Sequence, residues 1–147
     1  MISLKCSYDT DIATKHKWLK AHHVLLEIIT PMNVLATVVY WLVLSAKFNE
    51  KHKDKPFDLL HTAVVHSFPL IANVLNLMVT DVVFKMSHSL VLVPIAFTYA
   101  SWNYYATVST GRPVYFFLDW QDSTSFLICS GLTLAGILLF SAISLLT

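Results

Sequence analysis

The chain has 147 residues, of which 56% are hydrophobic and 13% are charged, and its mean hydropathy is +0.62. A soluble domain carries about 25% charged residues, so this composition leaves too little polar surface for a water-soluble globule and indicates an all-α integral membrane protein. Ten basic and nine acidic residues nearly cancel, and there are two cysteines, which argues against a nucleic-acid partner, a disulfide framework and a four-cysteine zinc site. No dinucleotide-binding or phosphate-binding glycine motif occurs, so we expect no cofactor and no metal.

Four apolar stretches are long enough to cross a bilayer, whose core requires about 20 residues of helix. We number them spans one to four, and they cover residues 24–46, 58–84, 86–109 and 124–147. Only Lys85 separates spans two and three, which predicts a tight antiparallel hairpin. The sequence therefore predicts a single multi-pass membrane domain, an antiparallel bundle of four transmembrane helices.

The segments outside the spans are polar or aromatic. Residues 1–23 form a polar N-terminal segment, and its acidic residues argue against a secretory signal peptide. Residues 110–123 carry several aromatic side chains that suit the headgroup region, so we expect an interfacial loop there. The basic residues divide evenly between the two sides of the predicted topology, so charge does not orient the chain, although an organellar inner membrane or an endomembrane suits it.

Polar side chains fall on one face of each of the first three spans, taking 100° per residue. Because polar groups inside a bilayer are costly, these faces should turn toward one another. They comprise Glu27, Thr30, Asn33, Thr37 and Ser45; then Asp58, Thr62, His66, Pro69, Asn73, Asn76 and Thr80; then Ser87, Pro94, Thr98, Ser101, Trp102 and Tyr105.

Four of the polar residues reach about the same depth, at ~1.5 Å of rise per residue: His66, Thr37, Ser101 and Thr133. Two interpretations stay open for such residues, because hydroxyls and amides commonly join membrane helices, whereas an ionisable group in a span suggests a functional site. We expect the His66 ring to face the interior and to have a hydroxyl or amide partner from span one or three. His61 should lie nearer the rim.

Three stretches together resemble the androgen-induced and rolling-stone family of membrane proteins. They are T-P-M-N-V-L-A-T-V-V-Y-W at residues 30–41, H-T-A-V-V-H-S-F-P-L-I at residues 61–71, and Y-A-S-W-N-Y-Y-A-T-V-S-T-G-R-P-V-Y-F-F-L-D-W at residues 99–120. The last stretch is the most specific, and the resemblance covers residues 18–147. It implies that this chain corresponds to the four C-terminal helices of the family.

Some members of that family are intramembrane hydrolases of fatty-acid esters of hydroxy fatty acids that use a threonine nucleophile and a histidine. The resemblance implies that His66 is the best match for the histidine and His61 the second. The threonine lies on an early helix that this chain lacks, and neither Thr30 nor Thr37 matches its position. A threonine hydroxyl is a weak nucleophile without a base, so the resemblance alone does not carry the activity over.

Three functions follow as hypotheses. The first is a non-catalytic accessory or scaffold subunit of a larger membrane assembly, with other membrane subunits and lipids as partners. In that case the polar interior, which includes Thr62, Asn73, Asn76, Thr98 and Glu27, is a relic or a lipid-binding groove. The second is a hydrolase with His66 as base and Thr37 or Ser101 as nucleophile. The third, a haem or small-molecule binder, is disfavoured because the histidines lie at different depths.

Span four carries small residues on more than one side, which allows close helix packing. We therefore expect part of span four, including Gly136, to contact a partner protein. These small residues are Ser125, Cys129, Gly131, Thr133, Gly136 and Ser141.

Overall fold

The computed structural model describes the backbone of residues 2–80 and 82–146 and the side chains of these ranges from residue 17 onward. Met1, Asp81 and Thr147 lie outside the described residues. The described residues are mostly helical and include no strand. Its helices are α1 (Ile2–Val39), a π-helical segment (Tyr40–Leu44), α2 (Ser45–Lys51), α3 (Pro56–Met78), a 3-10 turn (Met86–Val91), α4 (Leu92–Thr110) and α5 (Thr124–Leu146).

Three helical segments among the described residues are long and apolar enough to cross a membrane: Lys17–Lys51, Pro56–Met78 and Thr124–Leu146. These correspond to the predicted spans one, two and four. The predicted span three contains α4, which has 19 residues but is diluted by tryptophan, tyrosine and asparagine side chains. By length and composition, these three apolar helices indicate a membrane protein.

Span one is part of a much longer helix than the sequence pattern predicted. Helix runs without a break from Ile2 through the π-helical segment to Lys51, and it includes most of the predicted polar N-terminal segment. No glycine or proline occurs between Ile2 and Thr30 to stop it. Pro31 lies inside the helix and is fully buried, so it is held by packing rather than marking a boundary.

The tight hairpin predicted at Lys85 is wrong. Helix α3 ends at Met78, and the described residues between it and the 3-10 turn, 79–80 and 82–85, are not helical; we call them the connector. The Thr80 hydroxyl donates to the Asn76 carbonyl (2.7 Å) and so satisfies one of the carbonyl groups that every helix end leaves free. The end of α3 lies within an apolar run of the sequence. Hydropathy did not reveal it, because hydropathy does not distinguish a helix from an extended connector.

Helix α1 packs against both α3 and α5, and α4 packs against α5. The core between α1, the connector, α4 and α5 is formed by Ile28, Phe84, Leu92 and Phe140. The Phe84 and Phe140 rings meet edge to face with centroids 5.5 Å apart. This core closes one end of the space between α1, α4 and α5.

Two glycines of α5 have opposite surroundings. A Cβ added at Gly136 would lie 3.2 Å from the Leu35 side chain and 3.7 Å from that of Leu92, whereas one added at Gly131 would meet nothing within 4 Å. Gly136 therefore allows α1 and α4 to approach α5 within the same chain. The expectation that Gly136 contacts a partner protein is corrected accordingly.

The loop at residues 111–123 is fastened to the helices by Trp120. Its indole nitrogen donates to Asn103 Oδ1 on α4 (2.7 Å), and its backbone N–H donates to the Ser125 hydroxyl on α5 (2.9 Å). Trp120 has a φ of 58°, which is uncommon for a bulky residue. The two hydrogen bonds hold this conformation and fix the loop across the ends of α4 and α5.

Candidate functional site

The polar faces of α1 and α3 meet, as the sequence predicted for spans one and two. Asn73 is buried and donates to the Thr30 hydroxyl (2.8 Å), which donates in turn to the Leu26 carbonyl (2.6 Å). The Thr37 hydroxyl donates to the carbonyl of His66 (2.7 Å). Since residue numbers rise along α1 as they fall along α3, the two helices run antiparallel.

The Thr37–His66 contact lies one turn before Pro69. Proline lacks the N–H that would bond to the carbonyl four residues earlier, here that of Val65, and its ring crowds the preceding turn. Thr37 binds the carbonyl of the next residue, His66. The Asn33 amide donates to the Pro69 carbonyl itself (3.4 Å). Thr37 and Asn33 therefore join α1 to the proline-containing part of α3.

The His66 ring is half-buried and stacks on Tyr40, with ring centroids 4.3 Å apart and an interplanar angle of 10°. Tyr40 is only 2% exposed. Among the described residues no side chain makes a hydrogen bond to the ring, so the expected hydroxyl or amide partner is replaced by an aromatic one. Sequence reasoning missed Tyr40, although it lies about one turn after Thr37, at the start of the π-helical segment that continues α1.

Two residues assigned to the polar interior lie outside it. Thr98 and Ser101 are exposed on α4, and the Thr98 hydroxyl donates to the Pro94 carbonyl of its own helix (2.8 Å). The prediction that Ser101 reaches the depth of His66 inside the bundle is therefore wrong, because α4 turns the opposite face, with the buried Asn103 and Thr107, inward.

The remaining candidates take intermediate positions. Thr62 is half-buried and donates to the Asp58 carbonyl (2.8 Å), and Asn76 is also half-buried. His61 is exposed and stacks on Phe57, with ring centroids 6.4 Å apart. His61 is thus more exposed than His66 and lies on a different face of α3.

Glu27 is completely buried and bridges α1 and the region after α3. Its Oε2 atom accepts from His88 Nδ1 (2.8 Å) and from the Lys85 backbone N–H (3.1 Å). Its Oε1 atom lies 3.4 Å from His23 Nε2 but makes no hydrogen bond within the described residues. A buried carboxylate requires such partners. We call Glu27, His23 and His88 the acid–histidine cluster; no metal-binding group of three acidic, histidine or cysteine residues occurs in the described chain.

The acid–histidine cluster also holds the connector. His23 Nε2 lies 3.1 Å from the Val83 carbonyl, to which it donates in the matching tautomer. The Ser144 hydroxyl of α5 donates to the Phe84 carbonyl (2.7 Å), and Lys85 donates to Glu27. Three consecutive connector residues are therefore bound by α1 and α5, which gives the cluster a structural role.

A cavity of about 330 Å³ lies between α1, α4, α5 and the loop at residues 111–123, and His66 of α3 reaches its wall. Its lining is almost entirely apolar. The polar members are His66, Tyr99, Tyr115, Cys129 and Thr133, and the Thr133 hydroxyl already donates to the Cys129 carbonyl (2.7 Å). The site therefore offers an apolar binding volume with few hydrogen-bonding groups.

The described residues do not bring a hydroxyl nucleophile to the His66 ring. Thr37 binds the His66 carbonyl rather than its ring, Thr133 binds its own helix, and Ser101 is on the outside of α4. Nucleophilic catalysis by a hydroxyl needs an adjacent base to accept its proton. The Thr37 and Thr133 hydroxyls therefore donate to backbone carbonyls and not to the His66 ring.

The chain matches no protein-family model, no curated protein and no solved structure. The resemblance to the androgen-induced and rolling-stone family accordingly stays a prediction.

Proposed function

We propose that the chain is a non-catalytic accessory subunit of a larger membrane assembly and docks through the outer stripe of α4. This stripe consists of Pro94, Thr98, Ser101, Trp102 and Tyr105, all of which are exposed. Trp102 is 69% exposed and Tyr105 is 63% exposed. The outward position of this polar and aromatic stripe is the observation that carries the proposal.

The stripe is a poor surface to place against lipid tails. Helix α4 has 19 residues, which at ~1.5 Å per residue is close to the ~30 Å thickness of a bilayer core. Hydroxyl and indole groups at that depth lose their water partners and are costly unless a neighbouring helix covers them. A covered α4 becomes the fourth span of an antiparallel bundle despite its modest hydropathy.

The partner that suits the stripe is another membrane protein with a helix of small and hydrogen-bonding residues. Small side chains allow the backbones to approach, and interhelical hydrogen bonds with Ser101 and Tyr105 replace the missing water. The ring surfaces of Trp102 add contact area and are typical of interface anchors. The partner face of this chain is therefore α4 rather than the small-residue side of α5.

The test compares two bulky substitutions on outward-facing helix positions. Ser101→Trp blocks the stripe, and Ile71→Trp is the matched control on α3, where Ile71 is 54% exposed. Each tagged chain is purified in mild detergent from its native membrane, and stoichiometric partners are quantified. Ser101→Trp should lower partner recovery about tenfold, equivalent to about 1.4 kcal/mol of binding free energy, while Ile71→Trp retains it. Equal recovery for both variants, or a wild-type chain without a protein partner, contradicts the proposal.

The hydrolase remains the second candidate because His66 reaches the cavity wall. Hydrolysis of a long-chain ester is measured with the purified chain in vesicles, and we expect no turnover above that of empty vesicles. Ester hydrolysis that disappears in His66→Ala and persists in His61→Ala establishes the hydrolase in place of the non-catalytic subunit.

A further inference from the structure

The cavity between α1, α4 and α5 follows the first helix over a long distance. It is lined by residues from Pro31 of α1 to Leu44 of the π-helical segment, a separation of about 20 Å along a helix at ~1.5 Å per residue. Its volume is about 330 Å³, and its walls are almost entirely apolar. An extended hydrocarbon chain matches this length and this lining.

The two ends of the cavity differ. One end is closed by the core, where Gly136 of α5 approaches the Leu35 and Leu92 side chains. The other end reaches Leu44 and the loop residues Tyr115 and Phe117. Beyond Leu44 the chain becomes strongly charged, and the Lys47 ammonium group lies 3.5 Å from the centroid of the Phe116 ring. The loop end is therefore the polar end.

The cavity is open on the side between α1 and α4. Three lining residues there are exposed: Met32 (41%) and Tyr99 (49%), together with Ala36. In a membrane this opening faces lipid rather than water. The walls of an empty apolar void lack dispersion contacts. Hydrocarbon from the surrounding lipid can enter through the opening and restore these contacts.

We propose that this cavity binds one acyl chain of a bilayer phospholipid. The chain enters through the opening at Met32 and Tyr99, its methyl end lies at Gly136, and the headgroup stays beside the loop at residues 111–123. Gly136 limits the length of chain that fits, because a larger side chain at this position fills the closed end. The proposal is independent of the docking of α4 to a partner.

The experiment uses the full chain in vesicles that contain phosphatidylcholine with a diazirine at the end of one acyl chain, in a long and a short version. After illumination, labelled peptides are identified by mass spectrometry. The long-chain probe should label α5 around Gly136 and α1 around Leu35. Labelling confined to outward-facing residues such as Leu60 or Leu138 would overturn the proposal.

Two glycine variants of α5 make the test specific. Gly136→Leu should reduce labelling of these cavity segments by the long-chain probe about tenfold, as expected from displacing about two methylene groups, and leave the short-chain probe unaffected. Gly131→Leu, which enters open space, should behave like the wild type with both probes. Identical chain-length profiles for Gly136→Leu and wild type overturn the proposal.

A second variant avoids the packed end of the cavity. Ala36→Trp fills the exposed opening and should abolish labelling of the cavity walls by both probes even if Gly136→Leu does not fold. A diazirine-labelled fatty alcohol forms the final comparison. Labelling of the cavity by the alcohol with none by the phospholipid overturns the bilayer-lipid assignment, and labelling by the phospholipid supports it.

Discussion

The polar side chains of α1 have partners on other parts of the chain. Those of the outer stripe of α4 instead face outward. Glu27, Thr30 and Thr37 each bind a group on another part of the fold. Thr98 and Ser101 are of similar chemistry but exposed. Polar residues on a membrane helix thus indicate that polar groups of another segment cover them. The fold decides whether that segment belongs to the same chain or to a partner protein.

Glu27→Ala should have the largest effect on stability. It removes the carboxylate that accepts from the half-buried His88 ring and from the Lys85 backbone N–H, and donors left without their acceptor typically cost about 1–3 kcal/mol. The free energy of unfolding is measured by detergent titration followed by circular dichroism. Glu27→Gln, which keeps an acceptor for the Lys85 N–H, should lose less. If Glu27→Ala unfolds like the wild type, the acid–histidine cluster does not hold the connector.

Asn73→Ala should have the next largest effect, because it removes the only donor from α3 to Thr30 in the described chain. Interhelical hydrogen bonds in membranes contribute about 0.6 kcal/mol on average and up to about 1.7, and the buried position of Asn73 favours the upper part of that range. Asn76→Ala is the control, since Asn76 is half-buried on the same helix and its side chain makes no hydrogen bond within the described residues. Equal losses for the two variants would show that burial, and not the hydrogen bond, stabilises the α1–α3 pair.

Thr37→Val should cost about 0.6 kcal/mol, since it keeps the shape of the side chain and removes the hydroxyl that bonds to the His66 carbonyl. The same detergent titration measures this change. Thr37→Ser restores the hydroxyl and should recover most of the loss. A Thr37→Ser variant as unstable as Thr37→Val would assign the effect to packing of the methyl group.

Ser101→Ala should change the stability of the isolated chain by less than about 0.5 kcal/mol, the usual range for surface positions. The unfolding experiment on the purified chain tests this value. A loss comparable to that of Asn73→Ala would mean that Ser101 has a partner within its own chain, and the contrast between α1 and α4 would disappear.

The sequence predicted the positions of three apolar helices and the mutual approach of α1 and α3. In both helices the polar residues share one side, so the direction of burial is readable from spacing alone. Helix α4 has polar residues on two sides, with Asn103 and Thr107 opposite Ser101. Spacing cannot choose between these sides, and the structure buries Asn103 and Thr107.

The acid–histidine cluster and the cavity were less accessible to sequence reasoning. His88 lies 61 residues after Glu27, so only the fold brings them together, although the i,i+4 spacing of His23 and Glu27 was a local sign of a pair. The cavity depends on which small side chains face one another across α1, α4 and α5. Periodicity along a single helix does not contain that information.

The bonds to the connector also set an order in time. Ser144 follows Phe84 by 60 residues, and a ribosome adds residues at about 5–20 per second, so the Ser144 hydroxyl is synthesised about 3–12 seconds after the carbonyl to which it donates. During that interval the connector already has its α1 partners, His23 and Glu27. Its contact with α5 forms only after α5 has been made, and membrane-insertion factors meet the connector before that contact exists.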